Sequence, residues 1–258
     1  MLDKRLRWGG LAWLLTLQFF VVETVAALRF GGAYSRADSV ISDLGASYSS
    51  AAGLMNASFV LQGVLITAGA FLLRAALPRA AGRLAVSLLT VAGLGVIVVG
   101  VVPLDADGTV HAIGAVAYLA GSSLGLLALA HALRPRSEAV GSVIALLGVL
   151  ATVATVFFLA GITRFMGEGG TERAAAYALP VALAVAGGAL WRSGAGTPDE
   201  PGTPSSRELR ARARTARRAE AAAQAAERDA ALERYADEVR NEAGTDEDPW
   251  APSSRRGD

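Results

Sequence analysis

Six long apolar runs occupy the first 192 residues, and polar side chains gather in the short segments between them. The runs are 8–28, 54–73, 84–104, 111–130, 140–162 and 174–191. Most show no polar stripe at the 3.6-residue period that a water-facing helix carries, so lipid rather than water is the solvent that fits them. At about 18 to 23 residues each, with a 1.5 Å rise per residue, they match a hydrocarbon core about 30 Å thick. The pattern predicts an all-α polytopic membrane protein, a six-helix transmembrane bundle. Pro180 lies inside the sixth run and predicts a kink there.

Basic residues in the short loops set the expected orientation. One set of segments holds Lys4, Arg5, Arg7, Arg74, Arg79, Arg83, Arg134 and Arg136, eight in all; the other holds only Arg29, Arg36, Arg164 and Arg173. Cytoplasmic loops carry the excess of such charge, so both termini are expected in the cytoplasm of a cell-membrane protein. A cleaved signal peptide over residues 1–28 is the alternative, but the first apolar run is longer than a signal core and contains Glu23.

Composition sharpens this picture in three places. Hydrophobic residues make up 53% of the chain and charged residues 18%, and the charges concentrate outside the runs, as lipid exposure demands. There is no cysteine, which removes disulfides, thiolate metal sites and cysteine nucleophiles. A single lysine among 24 basic residues, in an Ala- and Gly-rich chain, points to a GC-rich bacterial genome.

After the last run the character of the chain changes. Segment 193–206 contains Pro198, Pro201 and Pro204 among Gly, Thr and Ser, an extended linker with no material for a core. Segment 207–243 is rich in Ala, Arg and Glu and predicts a charged cytoplasmic helix. Its leading basic half, Arg207, Arg210, Arg212, Arg214, Arg217 and Arg218, suits anionic lipid headgroups, while a solvated tail is the plainer alternative. Without interleaved aromatics or a known module it is not expected to bind nucleic acid. Residues 244–258 read as a disordered tail.

The remaining polar groups fall on the expected outer side. Glu23, near the outer end of the first run, must be paired, neutral or near water, and Arg173 at similar depth is a candidate partner. Between the first two runs stands Ile41-Ser42-Asp43-Leu44-Gly45-Ala46, in which Ser42 or Asp43 can either cap a following helical turn or reach a shared site. The second outer loop offers Asp105, Asp107 and His111, the last a switchable acid, base or ligand. Asp105 to Gly108 resembles the start of a calcium loop but fails at its sixth and twelfth positions, Val110 and Val116. The third outer loop offers Glu168, Glu172 and Arg173. In the fourth run, Gly121 and Gly125 form a small-residue face for close helix packing.

Residues 40–46, the loop 105–111 and Gly170-Thr171-Glu172-Arg173 at the start of the last run, with Glu23 near the end of the first, resemble the membrane family catalogued as domain of unknown function 998. The resemblance spans about residues 8–192. It implies a six-helix bundle with a shared outer-face site, and it implies no activity.

Three functions follow as expectations. The first is binding or moving a lipid-like or small polar ligand at an outer site built from Glu23, Ser42, Asp43, Asp105, His111, Glu172 and Arg173. The second is a structural or regulatory protein whose polar cluster locks the bundle while the tail recruits a partner. The third is an intramembrane hydrolase or transferase that uses His111 and the carboxylates, with or without a metal. No dedicated metal motif is present.

Overall fold

The structure, a computed structural model, describes residues 2–77, 79–194 and 206–243. The described residues form eight α-helices and no strand: α1 (Leu2–Leu15), α2 (Gln18–Leu28), α3 (Ala52–Leu73), α4 (Ala80–Val101), α5 (Gly108–Leu133), α6 (Glu138–Leu159), α7 (Gly167–Gly194) and α8 (Ser206–Ala243). Six helical segments are long and apolar enough to cross a membrane, with α1 and α2 sharing the first crossing.

Helices α1, α3, α4, α5, α6 and α7 form a ring in which each packs on its neighbour in sequence and α7 closes back on α1. Facing glycines make three of these contacts close. A Cβ at Gly95 would lie 2.6 Å from the Gly114 carbonyl, one at Gly93 2.8 Å from the Gly63 carbonyl, and one at Gly187 2.6 Å from the Gly10 carbonyl. Helix backbones therefore touch directly at α4/α5, α3/α4 and α1/α7, as expected where lipid supplies no hydrophobic force between helices. Gly121 belongs to the same α4/α5 seam, since its Cβ would meet the Ala92 nitrogen at 2.8 Å. Large apolar side chains such as Val21, Leu61, Phe71 and Leu146 remain exposed on the outside of the ring, where lipid would cover them.

The first apolar run differs from expectation by breaking at Thr16 and Leu17, although neither Pro nor Gly stands there. The Thr16 hydroxyl donates to the Trp13 carbonyl at 2.5 Å, with the Pro180 carbonyl of the neighbouring α7 3.4 Å away, and the Thr16 amide tightens onto the same Trp13 carbonyl at 3.3 Å. Segment 140–162 also ends early. Helix α6 stops at Leu159 because Gly161, at φ 67°, adopts the left-handed conformation. The Gly161 and Ile162 amides then bond the Phe158 and Phe157 carbonyls at 3.1 and 2.8 Å, the pairing of a Schellman cap.

Helix α7 starts at Gly167, well before the expected residue 174. Gly167 is the other left-handed glycine (φ 74°), and a Cβ there would strike the Ala37 carbonyl. The Gly170 amide donates 2.9 Å to that same carbonyl, so this end of α7 is tied to the α2–α3 connection.

The bundle (residues 1–196) and the tail (197–258) are separate compact units. In α8 the side chains described, Arg212 to Arg240, are all exposed. Most of segment 193–206, and all of 244–258, lie outside the described residues, as do the side chains of Arg207 and Arg210.

Candidate functional site

The α2–α3, α4–α5 and α6–α7 connections meet at one end of the ring, and the polar groups there divide into three sets. The first is an ion pair with several attachments. Arg173 Nε donates 2.9 Å to Glu23 Oε1, with both side chains almost fully buried (7% and 1% exposed). The second Glu23 oxygen accepts from the Tyr177 hydroxyl. Arg173 Nη1 reaches the Arg36 and Ser39 carbonyls at 2.8 Å and the Gly169 carbonyl at 3.0 Å, and Nη2 donates to the Tyr34 hydroxyl. The guanidinium also lies over the Tyr34 ring, 5.6 Å from its centroid.

Three guanidinium nitrogens thus bind α2, α7 and the α2–α3 connection into one unit. Burial pushes the half-buried Tyr34 phenol up to about 12 despite the opposing pull of the Arg173 charge, so Tyr34 stays neutral. This arrangement uses both charges on each other and on backbone carbonyls. It braces the fold and leaves little of either charge for a ligand.

The second set surrounds a cavity. Residues 41–45 form a short 3₁₀ turn that folds in over the helices, burying Ile41, Ser42, Leu44 and Gly45. Its position is held by Glu172, whose carboxylate accepts from the Ile41 amide, and by the Asn56 side-chain amide, which donates 2.8 Å to the Gly45 carbonyl. The Ser42 hydroxyl lies 2.8 Å from His111 Nε2, and His111 Nδ1 lies 2.8 Å from the Val102 carbonyl. A carbonyl only accepts, so Nδ1 carries the proton, and in the neutral ring Nε2 accepts from Ser42. His111 is placed by its own helix start: the Asp107 carboxylate caps α5 by accepting from the Thr109 and Val110 amides at 3.0 and 3.1 Å, which sets His111 one turn in, facing the bundle.

Ser42, Glu172 and Tyr118 supply the polar lining of a narrow cavity whose other walls include Phe19, Phe59, Val96 and Val99. Its volume is about 30 Å³, room for about one water. Such a slot admits a water or a slender polar end; a bulky ring system would require its walls to part.

The third set stays at the rim. Asp43 accepts 2.7 Å from the Tyr48 hydroxyl, and Asp105 accepts from the Ser47 hydroxyl and, at 3.0 Å, from the Ser47 amide. Those two hydrogen bonds hold the exposed Asp105 carboxyl below the ordinary carboxylate range. Neither aspartate lines the cavity.

The seven residues expected at one site are therefore distributed: Glu23 and Arg173 in the brace, Ser42 and Glu172 at the cavity with His111 behind Ser42, and Asp43 and Asp105 on the rim. Neither Ser42 nor Asp43 caps the helix that follows: α3 has Ala51 at its N-cap and no side-chain cap, while Ser42 pairs with His111 and Asp43 with Tyr48. Sequence reasoning missed Tyr34, Tyr118 and Tyr177, whose hydroxyls complete the brace and the cavity. The available signal was a tyrosine in or beside an apolar run, where its hydroxyl needs a partner. Among the described residues no three His, Asp or Glu side chains are grouped as a metal site requires. A family model described as "Protein of unknown function (DUF998)" matches residues 14–192. No curated protein and no solved structure matches the chain.

Proposed function

The chain belongs to the family described as protein of unknown function DUF998, whose match reaches all six spans, and from that premise we propose that it binds a small amphiphile at the outer mouth of the bundle. The polar end of the ligand meets Ser42 and Glu172, with His111 behind Ser42, and its apolar part enters between Phe19, Phe59, Val96 and Val99 as those walls part. One observation carries this reading: the half-buried Glu172 carboxylate and the buried Ser42, whose hydroxyl pairs with His111 behind it, line the same apolar-walled slot. Polar groups cost several kcal/mol when placed in hydrocarbon without partners, roughly, and those that line a cavity commonly mark a ligand or ion path. The basic bias of the loops supports a cell-membrane location with both termini cytoplasmic, which puts the slot on the outer side. The tail's Arg212, Arg214, Arg217 and Arg218, exposed along α8, support contact of its basic half with anionic headgroups, to which Arg207 and Arg210 would add.

The brace favours a structural role for Glu23 and Arg173 alone. Ligand binding is tested by native mass spectrometry of the protein extracted in mild detergent. A bound amphiphile should survive extraction, and Ala115→Leu, which fills the slot from its wall, should release it. Wild-type protein without any bound mass, or a variant retaining as much, contradicts the proposal.

A further inference from the structure

Building on that ligand site, we propose that Ser42 is a nucleophile activated by His111, so that the slot cleaves an ester of a slender acyl chain rather than only holding one. The Val102 carbonyl, 2.8 Å from His111 Nδ1, holds the ring as the tautomer whose free lone pair is on Nε2. That lone pair lies 2.8 Å from Ser42 Oγ, within the range over which a base takes a hydroxyl proton. Activated serines are built this way, with a nucleophile, a base, and a third group that orients the base; here a backbone carbonyl holds the third position. Asp43, the adjacent carboxylate, is committed to Tyr48 and does not compete for the ring.

Placement supports the same chemistry. His111 is 3% exposed and Ser42 8%, and Ser42 forms part of the cavity wall, so the pair is shielded from bulk water with the slot beside it. Two features hold it there. The Glu172 carboxylate fixes the preceding Ile41 amide, and the turn is packed through Ile41 and Leu44, which are almost fully buried.

In the reaction, Ser42 Oγ bonds to the ester carbonyl carbon as its proton passes to His111 Nε2, and the carbonyl π pair moves onto oxygen. When that pair returns, the carbon–oxygen bond to the alcohol breaks and the imidazolium gives its proton to the departing oxygen. A water molecule then repeats the sequence on the acylated serine, with Nε2 as base. The net change is ester plus water to carboxylic acid plus alcohol, with Ser42 and His111 restored.

The test uses the full-length protein in membranes and an alkyl fluorophosphonate, a probe that forms a stable bond only with an activated serine. Mass spectrometry should find the adduct on Ser42 and not on the exposed Ser47 or Ser50. Ser42→Ala should abolish it. His111→Asn, which keeps a donor for the Val102 carbonyl but has no base, should slow labelling at least tenfold while leaving the melting temperature close to that of the wild type. Wild-type protein unlabelled at Ser42 overturns the inference without any variant, as does labelling at an unchanged rate in a folded His111→Asn protein. If Ser42 is unreactive but a bound amphiphile survives extraction, binding stands and the nucleophile falls; if neither is seen, both fail.

Discussion

Arg173 engages all three guanidinium nitrogens, with the Glu23 carboxylate, three backbone carbonyls and the Tyr34 hydroxyl as acceptors. Removing one member of a buried pair strands the other, at a cost of about 3 to 5 kcal/mol. Glu23→Gln and Arg173→Gln should each lower the thermal midpoint of the purified protein, and the double variant should be no less stable than the worse single one. Additive losses would show that the two residues act independently. The pair itself was legible because a charge inside an apolar run demands a partner, and only a few residues stand at that depth. Its tyrosines were not, since Tyr34 and Tyr177 signal in sequence only that a hydroxyl near lipid needs a partner, not which partner it finds. Ser42 was ambiguous for a different reason: a serine near a turn caps locally in most settings, and what drew it to His111 lies 69 residues away.

Among the elements, α7 is the most instructive. Pro180 has no amide proton, so the Ala176 carbonyl one turn earlier loses its helical donor. The Tyr118 hydroxyl, reaching across from α5, donates 3.2 Å to that carbonyl. A neighbouring helix thus supplies what proline removes, which is how a membrane helix tolerates it. Tyr118→Phe should cost about 1 to 3 kcal/mol by leaving the carbonyl unpaired, and much less in a Pro180→Ala background where the helix regains its donor. Equal losses in both backgrounds, read by thermal unfolding in detergent, would contradict this account. The proline was visible in sequence and so was the need for a substitute donor; the identity of the donor depended on helix order in the ring. The ends of α6 and α7 are set by Gly161 and Gly167 in left-handed conformation. Apolar run length does not register such caps, which is why segment 140–162 overshoots and segment 174–191 begins late. The break at Thr16 was hidden because neither Pro nor Gly marks it, and a threonine that bonds the carbonyl three residues back looks in sequence like any other threonine in an apolar run.

At the scale of the whole molecule, six apolar runs were enough to foresee an all-α membrane bundle, because lipid leaves a helix few alternatives. The ring order was less accessible, since it follows from glycine pairs such as Gly95 with Gly114 that stand among many other glycines in the runs. Orientation can be read chemically because the chain has no cysteine. A Ser47→Cys variant retains the backbone amide that holds Asp105 and places its thiol at an exposed position. In intact cells it should react with a membrane-impermeant maleimide; reaction only after lysis would reverse the orientation and put the slot on the cytoplasmic side.

The central claim is that an amphiphile occupies the slot beneath residues 41–45. Its most direct test is to incorporate a phospholipid bearing a diazirine on one acyl chain, irradiate the membranes, and map the adducts by peptide mass spectrometry. The account predicts adducts concentrated on the slot walls, at Phe19, Phe59, Val96 and Val99, and sharply reduced there in Ala115→Leu. Adducts confined to the exposed outer faces of the helices, and unchanged by that substitution, would contradict it.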